Sequence, residues 1–353
     1  MESYYDTGSY TMPVTTQHSE AQVWFDRGLA WCYGFNYEEA VRCFKRATEA
    51  DPDCAMAWWG VGYAGGPVYN RGWTKFDRIE LPRILKETHS ASQHAMALHT
   101  KASPLEQALI EALTARHPSD EAPDDFMVWT EAYADAMRTV YHAHPDNPDV
   151  ASLFAEAIMS RTPWKLWDLN TGEPREGAST VEAVEVLESA IAKVEARGPE
   201  RHAGLLHYYI HVMEMSPRPE AALRAGDELC NLVPDCGHLH HMPTHIDFQC
   251  GHYFNVLLRN SAAIVADNKL LKEVGPLNLF SYSRIHNIHF KLYGAMFLAQ
   301  YGAAMEAVRE FEDTVPVALI RMESPPMADM LEGYYGLKYH ALIRFGRWQD
   351  IID

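Results

Sequence analysis

Apolar positions recur along this chain at the three- and four-residue steps of a helix from about residue 20 to the end, and the predicted elements are helices almost throughout. Ala, Leu, Glu and Met, all good helix formers, fill these segments. Alternating β-branched runs and Asn-Gly turns, the marks of strands and hairpins, are nearly missing. Prolines such as Pro52 and Pro234 close one helix shortly before the next begins. Two stretches interrupt the pattern: residues 65–73 (GGPVYNRGW) and 162–180 (TPWKLWDLNTGEPREGAST). Both carry aromatic residues, which exposed linkers seldom do, so both are expected to fold over the concave face of the helices. Residues 1–19 read as a flexible arm, and residues 20–353 as a single helical domain.

The helical pattern repeats. Residues 37–60 (YEEAVRCFKRATEADPDCAMAWWG) align without a gap on residues 219–242 (PEAALRAGDELCNLVPDCGHLHHM). In each, an alanine (Ala40, Ala222) stands twelve positions before a proline (Pro52, Pro234), and an Asp-Cys pair follows: Asp53-Cys54 and Asp235-Cys236. In this register Trp59 corresponds to His241 and Tyr63 to His245. Such units stack into a superhelix.

Gly34, Tyr37, Glu39-Ala40 and Pro52 make the first unit resemble a tetratricopeptide repeat. Weaker versions lie at Gly251–Tyr253, at Gly302 with Glu306-Ala307, and at Gly346–Trp348, after which a second helix is expected. The resemblance implies an all-α solenoid of helical hairpins, a right-handed superhelix with a concave interior pocket lined by first helices. The segments Ala55–Gly60, His207–Glu214, His241–Ile246 and His286–Phe290 together resemble a group of tetratricopeptide-like microbial proteins to which no reaction is attached.

Composition narrows the function. The 353 residues carry a net charge of −18, with a pI near 5.4 and no basic run, which argues against nucleic acid and anionic membranes. No apolar segment approaches the length of a spanning helix. The six cysteines are scattered without a C-x-x-C pair, and the first residues lack an apolar leader core. A reducing, cytoplasmic setting is expected.

Histidine is the unusual entry, at 18 residues. His207, His211 and Glu214 share one helix stripe. His241 and His245 form a second pair one turn apart, with Pro243 in the first turn of their helix. His289, beside His286, sits on a later helix. Neutral imidazole is a common metal ligand, and a four-residue step brings two rings toward one point. His207, His211, His241, His245 and His289 are therefore the expected ligands, with Glu156, Glu214 and Tyr208 as candidate catalytic groups. His94, His99, His117 and His142 read as structural or surface residues, and Trp58 and Trp59 as packing.

A thiolate-free, nitrogen-rich set suits one transition-metal ion, copper or iron before zinc. The zinc-peptidase signature H-E-x-x-H is missing, because the residues between the pairs are Tyr-Tyr-Ile and Met-Pro-Thr. Tyr208, Tyr209, Met213, Met242 and Tyr282 give the surroundings an aromatic, thioether character. The reading is a metal-dependent oxidoreductase acting on a small organic substrate; a homodimer is left open. The alternatives are a scaffold gripping a peptide or protein partner, and a metal-dependent hydrolase or isomerase. No phosphate-binding loop, nucleophile elbow or Cys-His pair stands out.

Overall fold

The computed structural model describes residues 4–352, and among these it is all-helical, with isolated bridges but no strand. The chain divides into two compact units, Thr7–Arg218 and Pro219–Asp353, the latter also taking in Met1–Asp6.

The first unit runs α1 (Ser19–Tyr33), α2 (Tyr37–Ala50), α3 (Ala55–Gly65), α4 (Leu81–Ala97), α5 (Pro104–Arg116), α6 (Met127–Ala143), α7 (Pro148–Met159), α8 (Thr180–Arg197) and α9 (Ala203–Met213). Successive helices pack on one another as hairpins. Their starts are written in the sequence. Asn36 accepts from the Glu39 amide at α2, Ser103 and Glu106 form a capping box at α5, and Asn147 caps α7 ahead of Pro148. Phe44 of α2 fills a notch made by two glycines: a Cβ on Gly28 or Gly60 would fall 2.7 or 2.3 Å from its ring.

Residues 4–18, the described part of the expected arm, are not helical but are tied down. Tyr10 donates to Asp149 (2.7 Å), Thr11 to Asp26 (2.7 Å) and Thr16 to Asp51 (2.5 Å), while Met12 is buried. Asp6 exchanges bonds with Asp235 within the second unit. Polar side chains of the helices take up the segment's groups, a pairing that composition alone does not reveal.

Both interruptions are tied to the helices of the first unit. Val68, Tyr69, Trp73 and Leu166 are buried, the Trp164 amide donates to the Tyr69 hydroxyl (3.4 Å), and the Trp167 indole donates to the Val212 carbonyl on α9 (2.6 Å).

The second unit runs α10 (Leu223–Leu229), α11 (Gly237–His241), α12 (Pro243–Gln249), α13 (Tyr253–Val274), α14 (Phe280–Phe297) and α15 (Tyr301–Thr314). The short helices α16 (Val317–Ile320), α17 (Met327–Leu331), α18 (Leu337–Arg344) and α19 (Gln349–Ile352) follow. Its apolar core gathers Ile285, Ile288, Leu292, Phe311, Leu319 and Leu331. The internal repeat holds here: α3 begins right after Cys54 and α11 right after Cys236, both extended caps with ψ near 100°. The second copy differs in one respect. Pro243 has no amide proton, so α11 stops at His241 and α12 restarts the turn.

Candidate metal centre

The repeat register assigns one slot to two chemistries. In α3 the slot holds Trp59 and Tyr63, which stack with centroids 5.0 Å apart, and the Trp59 indole donates to the Leu109 carbonyl (3.1 Å). In α11 and α12 it holds His241 and His245, whose Nε2 atoms lie 3.0 Å apart. A packing pair has been replaced by two facing nitrogens.

Helix α13 fixes the orientation of His241. Asn260, fully buried, donates through Nδ2 to the Val256 carbonyl (2.8 Å) and to Thr244 Oγ1 (3.1 Å). Its Oδ1 is left to accept, and His241 Nδ1 lies 2.7 Å away. The imidazole proton therefore sits on Nδ1, and Nε2 presents its lone pair toward His245. Thr244 in turn donates to the His241 carbonyl (2.6 Å), which the proline break would otherwise leave short of a partner. Burial, and then the neighbouring His286, His245 and His238, hold His241 well below the usual imidazole range, so it is neutral near pH 7.

Helix α14 supplies the third ring. One ligand atom each from His241, His245 and His286 lie within 4.8 Å of one another. His286 lies 4.7 Å from His241 and 5.6 Å from His245, centroid to centroid, with its Nδ1 3.4 Å from the Tyr334 hydroxyl. Phe290, one turn beyond His286, packs against all three rings at 4.5–4.9 Å.

His289 is displaced from this group. It sits 6.0 Å from His286, packs on Tyr293 (4.4 Å) and Tyr334 (5.2 Å), and its buried Nδ1 has no partner. Sequence reasoning named His289 where the geometry gathers His286, and it did not name Asn260. The signal for Asn260 was a lone amide in the apolar stripe of α13.

His207 and His211 lie one turn apart on α9 in the first unit, with centroids 4.7 Å apart. His207 Nδ1 donates to the Tyr33 carbonyl (2.6 Å), and Glu214 Oε1 lies 2.8 Å from His211 Nδ1. Glu214 thus orients a ring. Phe35 packs on both imidazoles, and Tyr69 and Trp164 pack on His211. Tyr208, beside them, is fully buried, and burial followed by Tyr37 and Glu156 pushes its phenol well above the usual range, so it stays protonated near pH 7. Glu156 faces Arg116 and accepts from Ser160 Oγ (2.9 Å). Asp247, a buried carboxylate of α12, is paired with Arg259 (3.0 Å).

Whether the imidazoles of His241 and His245 fit one ion can be tested on their separation. At zinc- or copper-like bond lengths of about 2.0–2.1 Å, two nitrogens on one tetrahedral ion stand roughly 3.3 Å apart. The observed 3.0 Å between the His241 and His245 nitrogens is close to that value, and the Asn260 tether leaves the correct nitrogen of His241 available.

Residues 21–54 match the tetratricopeptide repeat. The matched segment is α1, the turn at Gly34, α2 and the Pro52 turn, the hairpin in which the sequence motifs lie. The fold is accordingly tetratricopeptide-like. No curated protein matches the chain. Among the described residues no helix is long and apolar enough to cross a membrane.

Proposed function

We propose that this chain is a transition-metal-dependent oxidoreductase whose ion is held in the second unit by His241, His245 and His286. The observation that carries the reading is the pair of Nε2 atoms 3.0 Å apart, one of them fixed by Asn260. Among the described residues the group of three contains neither thiolate nor carboxylate, which favours copper over iron, since non-haem iron sites commonly add a carboxylate. Zinc is compatible with the same nitrogens. A bound copper ion supplies one-electron redox chemistry, and the proposed reaction is oxidation of a small organic substrate with dioxygen as the electron acceptor. The chain's own contribution is to keep His241 neutral and aimed. Phe290 walls the rings with hydrocarbon, and Tyr334 stands beside His286 as a hydrogen-bonding group.

Elemental analysis of the purified full chain, grown with copper, iron and zinc in turn, tests this. One equivalent of metal is expected in the native protein, with loss of at least nine-tenths in a His241→Ala/His245→Ala variant that stays folded by circular dichroism. Equal metal in both would refute the assignment.

The repeat at residues 21–54 favours a second reading, a scaffold for a protein partner, because such repeats commonly mediate protein interactions. Partner capture that survives complete removal of metal would support the scaffold over the enzyme.

A further inference from the structure

A second pair of histidines lies in the first unit. His207 and His211, 0% and 2% exposed, stand one turn apart on α9, with ligand nitrogens within 4.8 Å of each other. His207 Nδ1 faces the Tyr33 carbonyl at 2.6 Å, and His211 Nδ1 faces Glu214 Oε1 at 2.8 Å. A carbonyl and a carboxylate only accept, so both Nδ1 atoms carry the proton and both lone pairs sit on Nε2. A carboxylate behind an imidazole fixes the ring and strengthens it as a metal ligand.

The turn ahead of α2 is strained in a way that covers the same pair. Phe35 has φ 57°, a left-handed conformation that costs a bulky residue about 1–3 kcal/mol. In that conformation its ring packs on His207 at 4.3 Å and stacks on His211 at 5.2 Å, 13° from parallel. Tyr69 and Trp164 pack on His211 at 5.1 and 5.5 Å. The two imidazoles are thus aimed, walled by aromatic faces and backed by one negative charge.

We propose that His207 and His211 hold one monovalent copper ion between their Nε2 atoms, a second metal site independent of the ion proposed for His241, His245 and His286. Two metal–nitrogen bonds of about 2.0 Å laid end to end span roughly 4 Å, within reach of two nitrogens no more than 4.8 Å apart. Ligand number selects the ion. Zinc takes a tetrahedron of donors and divalent copper a square, whereas monovalent copper is satisfied by two nitrogens in line. Charge agrees: Glu214 balances one positive charge, and a divalent ion would leave an excess in a buried site. Air oxidises the ion to the divalent state, which two nitrogens do not retain. Aerobically purified protein therefore carries no copper on this pair, and loading is anaerobic.

Anaerobic titration with copper(I) against a colorimetric copper(I) chelator tests this on the full chain carrying His241→Ala/His245→Ala, which removes the other site. One equivalent should be withheld from the chelator, and X-ray absorption should show two nitrogen neighbours. Adding His207→Ala should weaken binding at least tenfold. Glu214→Gln, which keeps an acceptor for His211 but removes the charge, should weaken it about tenfold while leaving both nitrogens on the ion. No copper withheld, three or more neighbours, or equal affinity after His207→Ala would overturn the proposal, whatever the metal content at His241 and His245. Should a variant fail to fold, nitrogen-15 spectra of the native chain decide. The Nε2 signals of His207 and His211 should move on loading, and signals that stay in place overturn it.

Discussion

Removing the Asn260 side chain should loosen metal binding through one named bond. In Asn260→Ala the His241 Nδ1–H, buried and now 2.7 Å from nothing, loses its acceptor, and Thr244 Oγ1 loses a donor. An unsatisfied buried polar group costs about 1–3 kcal/mol. The native Asn260 also donates to the Val256 carbonyl, but that oxygen remains inside the α13 helix ladder, so the main penalty falls on His241. Freed from its tether, the imidazole can change tautomer and tilt, and loss of such a supporting partner typically lowers metal affinity about 10–100-fold. The assay is competition between the protein and a chelator of known affinity, read beside a chemical denaturation curve. Affinity falling in that range with stability reduced by about 1–3 kcal/mol supports the reasoning. An equal loss of stability with affinity unchanged within threefold would refute it, because the bond would then be structural only.

Three further outcomes follow from the structure. Gly60→Ala should destabilise the first unit by about 1–3 kcal/mol, since its Cβ would meet the Phe44 ring at 2.3 Å; a melting point unchanged by circular dichroism contradicts this. Burial pushes the Asp267 carboxyl up to about 7 from 3.8, even though Asn287 donates to it (2.7 Å). A folded value above the unfolded one means this group's contribution to stability is full below pH about 3.8 and is lost as pH rises through about 7. Asp267→Asn should therefore gain stability relative to the native protein as pH rises across that window, measured by urea unfolding at several pH values; a constant difference opposes the assignment. Tyr334→Phe, which removes the hydroxyl 3.4 Å from His286 Nδ1, should preserve metal stoichiometry and change the spectrum of the loaded site; loss of the metal would place Tyr334 among the ligands instead.

The helices and several of their ends were legible in the sequence because proline and helical periodicity act locally. The internal repeat was legible too, and it aligned His241 and His245 with Trp59 and Tyr63. What could not be read was long-range. Nothing in the order of residues shows that Glu106, Asp51 and Asp149 take up the polar groups of residues 10–16, or that the chain closes around two cores. The choice between His286 and His289 depends on the rotation of α14 against α11, which a three-residue spacing leaves open. Arg116 gave no signal at all, since a single arginine at a helix end reads as a surface residue.

The most direct test of the central claim counts imidazoles at the bound ion. Pulsed electron paramagnetic resonance on the copper-loaded full chain should resolve three histidine nitrogens. His286→Ala should leave two, and His289→Ala should leave all three. Loss of a nitrogen on His289→Ala with none lost on His286→Ala, or a copper signal without histidine couplings, would contradict the site.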